Sequence, residues 1–283
     1  MLDVKRLQMH YPNFDLDVSF SVAEDEVVGL IGRNGAGKST TFKAILNLLV
    51  PDSGAVTLFD QPVATLAPKD KARIGTTFPE SFFAESFTLQ DIGRIMQASY
   101  PNFSQAEFLT SCTKQHLPLN KSLKGFSTGM KAKAKLLVAM SHEADFLLLD
   151  EPTSGLDVLV RQEVLAMMQD YLDARSGRAI LLSSHISTDL ETLCDRIVLL
   201  DAGHIKLAAT VDEIQTNYGV LKLTAPQYDQ VKTDHLLAVK PRPFGYQALT
   251  DQREYYQENY PQLVIEPATL DDLLVLLTEE EQS

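Results

Sequence analysis

Gly32-Arg33-Asn34-Gly35-Ala36-Gly37-Lys38-Ser39-Thr40 is the stretch whose reading decides the fold. An apolar run of β type, Val27-Val28-Gly29-Leu30-Ile31, precedes it, and residues 41–50 follow with Phe42, Ile45, Leu46 and Leu49 on one helical face. Strand, glycine-rich loop and helix in that order is the setting in which GxxxxGKS forms a phosphate-binding loop. Gly32, Gly35 and Gly37 open backbone angles closed to other residues and let the chain approach the phosphates. The amides of Arg33, Asn34, Ala36 and the helix start up to Thr40 face the same concavity and hold negative charge. Lys38 supplies a mobile cation for β- and γ-phosphate oxygens, and the Ser39 hydroxyl suits Mg²⁺. A glycine-rich turn with a surface lysine is the plain alternative. A lone GxGxxG would leave it standing; the full pattern in this setting does not.

Outward from the loop, Leu147-Leu148-Leu149-Asp150-Glu151 is an apolar strand ending in two carboxylates, 112 positions beyond Lys38. At such an end Asp150 can face Mg²⁺ while Glu151 orients, or takes a proton from, the water that attacks the γ-phosphate. A strand end followed by the turn Pro152-Thr153-Ser154-Gly155 would look the same in isolation; the loop upstream favours the catalytic reading. His185 follows a second buried run, residues 179–183, and so lies where parallel sheets bind ligands. Its imidazole could hold the γ-phosphate and the water at Glu151.

The chain has 283 residues, 45% of them hydrophobic and 22% charged, enough for one large domain with an appendage or two modest ones. Net charge is −13, which argues against a nucleic-acid surface. The excess gathers late, with 13 acidic against 6 basic side chains over 204–283. Lys121, Lys124, Lys131, Lys133 and Lys135 form a local basic cluster, open to two readings: a solvated helix face or phosphate attraction. No apolar run approaches the ~20 residues that cross a bilayer, and the start lacks the regions of a signal peptide. Cys112 and Cys194 are expected to be reduced and half-buried.

Alternation over 4–9 and 16–22 predicts half-buried strands joined at Tyr11-Pro12-Asn13. A strand is expected over 55–59, helices over about 89–141 and 158–174, and buried parallel strands over 146–149 and 179–183. A strand pair around Ala202-Gly203 closes this part. The rest mixes strand-like pieces at 220–223 and 263–265 with a helix over about 270–278, interrupted by Pro241, Pro243 and Gly245.

The P-loop, the run from Leu147 through Asp157 and the pair Ser184-His185 together resemble the ATP-binding cassette (ABC) ATPases. Phe126-Ser127-Thr128-Gly129-Met130, at a helix start, is similar to the signature loop that separates this family from other P-loop proteins. The resemblance covers residues 1–210 and implies an α/β fold of ABC type: a mixed sheet core with an antiparallel β subdomain and a helical subdomain at about 85–142. Residues 211–283 then form a small α/β appendage, similar to the C-terminal extensions of single-cassette exporter subunits. The resemblance also implies ATP and Mg²⁺, and two cassettes stacked head to tail, as homodimer or heterodimer. Ser127 and the Gly129 amide would bind the partner's γ-phosphate, Asp157 would line the dimer seam, and Tyr11, or Phe14 in its place, would stack on adenine.

Phe126, Thr128 and Met130 stand where the family usually has Leu, Gly and Gln. Glu80, after Ile74-Gly75-Thr76-Thr77-Phe78-Pro79, replaces a glutamine that in the family senses Mg²⁺ and attacking water. A carboxylate accepts but cannot donate, so Glu80 is expected to engage once Mg²⁺ is present. The function implied is ATP hydrolysis for a membrane exporter, at the cytoplasmic face, through a separate polytopic permease subunit and without nucleic acid. An ABC-type ATPase acting on DNA or the ribosome is the alternative. A P-loop kinase or switch protein would leave the signature-like loop and His185 without a role.

Overall fold

The computed structural model describes residues 1–80, 82–231, 235–243 and 245–278. Among these the strands form two sheets, one of ten and one of four. The predicted hairpin is β1 (Leu2–Tyr11) and β2 (Phe14–Val22), and β3 (Val27–Ile31) runs into the P-loop and α1 (Lys38–Ile45). β4 (Ser53–Leu58) and β5 (Gln61–Pro62) extend the hairpin's sheet, and α2 (Pro68–Lys71) leads into β6 (Ile74–Thr77). A helical layer follows, made of α3 (Leu89–Ser99), α4 (Gln105–Lys114) and α5 (Thr128–Met140). The chain returns through β7 (Phe146–Asp150), α6 (Val158–Asp173), β8 (Ala179–Ser183), α7 (Ser187–Leu193), β9 (Arg196–Asp201) and β10 (His204–Thr210).

The sheet order is β5-β4-β1-β2-β10-β9-β3-β8-β7-β6. From β9 to β6 all neighbours are parallel, whereas β10 is antiparallel to β9 and meets β2 through the pair His204↔Asp17. β3, β7 and β8 bury both faces, which is why they read as unbroken apolar runs, while β6 lies at the sheet's edge and is partly exposed. Leu147 and Leu149 point into the cluster under the helical layer, and Phe146 and Leu148 into the cluster that holds Phe42 and Ile45 of α1. β3, β8, β7 and β6 all end on one edge of the sheet, so the segments following them share a crevice.

The helix after the P-loop is shorter than the periodicity over 41–50 predicts. Asn47 sits at φ +55°, and the Leu48 and Asn47 amides donate back to Lys43 O and Ala44 O at 2.8 and 2.9 Å. This pair of bonds, with Asn in the left-handed conformation, ends the helix at Ile45. Leu48 and Val50 are left 65% and 81% exposed.

The C-terminal residues form α8 (Val211–Asn217), β11 (Gly219–Leu223), α9 (Ala225–Gln230), β12 (Leu236–Arg242), β13 (Gly245–Thr250), α10 (Arg253–Asn259), β14 (Val264–Pro267) and α11 (Leu270–Leu277). The small antiparallel sheet has the order β12-β13-β11-β14. Pro241 does not interrupt it. It lies in edge strand β12 opposite Tyr246, where a missing amide donor is tolerated. Gly245 does not interrupt it either: it starts β13 at φ +139°, where a Cβ would meet Leu223 O at 2.0 Å. Val211, Ile214, Leu249, Leu270 and Leu273 belong to the same apolar cluster as Ile31, Leu147 and Leu182, so one core runs past residue 210.

Cys112 and Cys194 are free and fully buried rather than half-buried. Burial pushes the Cys112 thiol up to about 12 and raises that of Cys194 as well. Among the described residues no helix is long and apolar enough to cross a membrane.

Candidate functional site

The P-loop spans the gap between the end of β3 and the start of α1. Gly37 occupies the N-cap position of α1 at φ +111°, a conformation side chains rarely adopt, and α1 has no side-chain cap. Its first amides are therefore open to an anion. At Gly32 a Cβ would lie 2.2 Å from Leu200 O, so the loop fits against β9 only as glycine. Lys38 is buried, and its ammonium donates to Gly32 O at 2.7 Å and Arg33 O at 3.2 Å, inside the loop's own curve. Burial lowers its pKa, while the Glu151 and Asp150 carboxylates act to raise it.

The second half of the site converges as the spacing predicts. Ser39 Oγ donates to Asp150 Oδ2 at 2.9 Å. His185 Nδ1 lies 2.6 Å from Glu151 Oε2. Glu151 holds a left-handed backbone, φ +50°, uncommon for a residue with a side chain and typical of functional turns. A hydroxyl and a carboxylate oxygen side by side form a hard donor set, and Mg²⁺ takes few protein oxygens, leaving the others to water and phosphate. The residues present fit that ion.

Sequence reasoning missed Ser183. Its buried hydroxyl donates to Asp150 Oδ1 at 2.6 Å and accepts from the Glu151 amide at 2.9 Å, so one side chain from β8 fixes the last residue of β7 and the acidic residue that follows it. A serine ending a buried apolar strand two residues before the histidine was the available signal. Ser183→Ala would leave the half-buried Glu151 amide and a carboxylate oxygen of the buried Asp150 short of a partner. A loss of about 1–3 kcal/mol is expected in urea unfolding; unchanged stability would contradict this role.

Other predicted residues stand apart from this cluster. Ser127 caps α5 by accepting from the Met130 amide at 3.2 Å, and Asp157 caps α6 by accepting from the Leu159 and Val160 amides. At Gly129 a Cβ would come within 2.7 Å of Val160 Cγ1, so its missing side chain already serves helix packing. Glu80 is exposed on the loop after β6. Tyr11 is exposed, its ring centroid 6.2 Å from that of the half-buried Phe14, which packs beside Gly37.

The basic cluster is neither one solvated face nor one phosphate site. Lys133 is buried in an ion pair with Glu163, and Lys131 pairs with Glu85 at 2.9 Å. Lys135 donates to Phe78 O and Pro79 O at 2.8 and 2.7 Å, tying α5 to the loop that carries Glu80. A cavity of about 350 Å³ separates this tie from Asp150 and Glu151, and Thr128 also lines it.

The family described as ABC transporter matches residues 16–154. A solved structure titled as the ATP binding subunit of an ABC transporter is 33% identical, with a TM-score of 0.67, over 76% of this chain and 92% of its own. The Nod factor export ATP-binding protein I of Bradyrhizobium diazoefficiens is 29% identical over 94% of this chain and 91% of its own length. A protein of Brucella ovis named for peptide import is 31% identical over 76% of this chain and 73% of its own length. The chain belongs to the ABC transporter family and is one of its ATPase cassettes.

Proposed function

We propose that this chain is the ATP-hydrolysing subunit of a membrane exporter, acting as one of two paired cassettes beneath a separate permease. The observation that carries the reading is the chain of contacts from Ser39 through Asp150 and Ser183 to Glu151 and His185. Lys38 and the P-loop amides bind the β- and γ-phosphates; Glu151, aimed by His185, takes the proton of the attacking water as it approaches the γ-phosphorus. Mg²⁺, held through Ser39 and Asp150, supplies charge neutralisation at the phosphates when bound. Tyr11, exposed at the end of β1, is the stacking surface for adenine. Ser127 and Gly129 meet the partner cassette's γ-phosphate, and Asp157 lies in the seam.

An apolar groove supports the permease. Exposed Leu48 lines a cavity of about 470 Å³ together with Ile45, Val63, Leu66 and Phe78, next to the Glu80 loop. Such a patch, rimmed by polar residues, suits a helix from a partner. On this reading the chain sits at the cytoplasmic face, held there by its partner. Residues 1–210 are the cassette and 211–283 its extension. Export is favoured because the match to the Nod factor export protein runs over nearly the whole chain, extension included.

The test is co-purification in detergent with the product of an adjacent reading frame bearing about six membrane-spanning helices, followed by reconstitution in vesicles. ATP-driven outward flux supports the reading; inward flux would reverse the direction, and no such partner would remove it. Glu80 serves as a metal-dependent coupling residue, since a carboxylate near a triphosphate is repelled until Mg²⁺ offsets the charge. Glu80→Gln is accordingly expected to weaken both the Mg²⁺ dependence and the partner-stimulated rate. If titrations of Mg²⁺ and permease superimposed on wild type, that role would be lost.

A further inference from the structure

His185 is followed two residues later by α7, and α7 begins poorly. Its N-cap is Ile186, whose side chain accepts nothing, so the first turn lacks the usual capping oxygen. The start of α7 is held instead through a side chain, by a carboxylate from the far end of the sequence. The buried Ser187, first residue of α7, donates its hydroxyl to Asp271 Oδ1 on α11. The favour is returned: the Leu270 amide, at the first residue of α11, donates to Glu191 Oε1 of α7 at 3.2 Å. Each helix thus lends the other a carboxylate.

Among the described residues, two other contacts hold the first turns of α7. Arg161 of α6 reaches Asp189 at 3.3 Å, further along the helix, and Leu190 packs beside Gly29 of β3. Between β8 and α7 the turn is tight, with Ser184 buried and accepting from the Ile186 amide at 3.0 Å. A shift at Ser187 would therefore be carried directly to His185. The extension also approaches the site itself: Lys240, Leu274, Val275 and Thr278 share a cavity of about 390 Å³ with Gly32, Arg33 and His185.

We propose that the C-terminal extension is a positioning element for hydrolysis: Asp271, through Ser187, fixes the start of α7 and so aims His185 at Glu151. Asp271 and Ser187 are positioning residues, not catalytic ones. The proposal rests on the reading of Glu151 and His185 as the hydrolytic pair.

The experiment measures kcat, KM and nucleotide affinity of the full chain for Asp271→Ala, Ser187→Ala, Asp271→Asn and His185→Ala, with thermal unfolding alongside. His185→Ala is expected to lose roughly 10²-fold in kcat. Asp271→Ala and Ser187→Ala should each lose about 10-fold in kcat with KM unchanged, the scale of a misaimed group. Asp271→Asn, which keeps an acceptor oxygen, should recover most of it. In the His185→Ala background Asp271→Ala should cost nothing more, because both act through one side chain. Wild-type kcat in Asp271→Ala and Ser187→Ala, or an undiminished further loss in the double variant, would overturn the proposal. If Asp271→Ala fails to fold, Ser187→Ala and Asp271→Asn decide it alone. Wild-type turnover in His185→Ala would instead remove the hydrolytic pair itself, and the proposal with it.

Discussion

Glu151→Gln should still bind ATP while its turnover falls by roughly 10²-fold or more. The amide keeps the shape of the side chain, and the backbone bond from Glu151 N to Ser183 Oγ does not involve it. What disappears is the carboxylate that can accept a proton at neutral pH, since an amide oxygen is too weak a base. The contact with His185 Nδ1 at 2.6 Å can survive as a neutral hydrogen bond, so the pocket need not collapse. With binding intact and hydrolysis blocked, the triphosphate persists, and paired cassettes should accumulate. Phosphate release and light scattering in saturating ATP measure the two effects together. Near-wild-type turnover would take Glu151 out of the role of base.

Lys38→Ala is the second large effect. Its buried ammonium lies within the loop, its charge favoured by Asp150 and Glu151 against the cost of burial. Held by Gly32 O and Arg33 O, it can swing to phosphate oxygens when a nucleotide enters. A hydrogen bond to a charged group contributes about 1.5–3 kcal/mol, so losing the cation should weaken ATP binding by about 10- to 10²-fold. Titration with a fluorescent nucleotide reads this directly. Equal affinity in the variant would contradict the phosphate-binding assignment.

The centre of the site was legible because its residues sit at strand ends. Asp150 and His185 follow unbroken apolar runs, and the rule that ligands bind at the carboxyl edge of parallel strands brings them to Lys38. Ser183 was not, because a serine closing a strand has no fixed role until its neighbour across the sheet is known. The end of α1 was misread on periodicity: Leu46 and Leu49 keep the helical spacing, yet Asn47 turns the chain out of the helix. Pro241 reads as a break in the sequence because its position on an edge strand depends on pairing with β13. The lysines of α5 read equally as a solvated face or as phosphate attraction, because Glu163 and the Phe78 carbonyl, which satisfy two of them, lie on other elements. The bond from Ser187 to Asp271 spans 84 residues, beyond any local pattern.

The apolar cluster that runs past residue 210 bears on how this polypeptide can be shortened. Removing everything after β10 would uncover the side chains against which Leu270 and Leu273 lie, leaving a greasy wound on the body that holds the nucleotide. Nature and the engineer face the same restriction: α11 cannot be discarded without replacing the surface it seals.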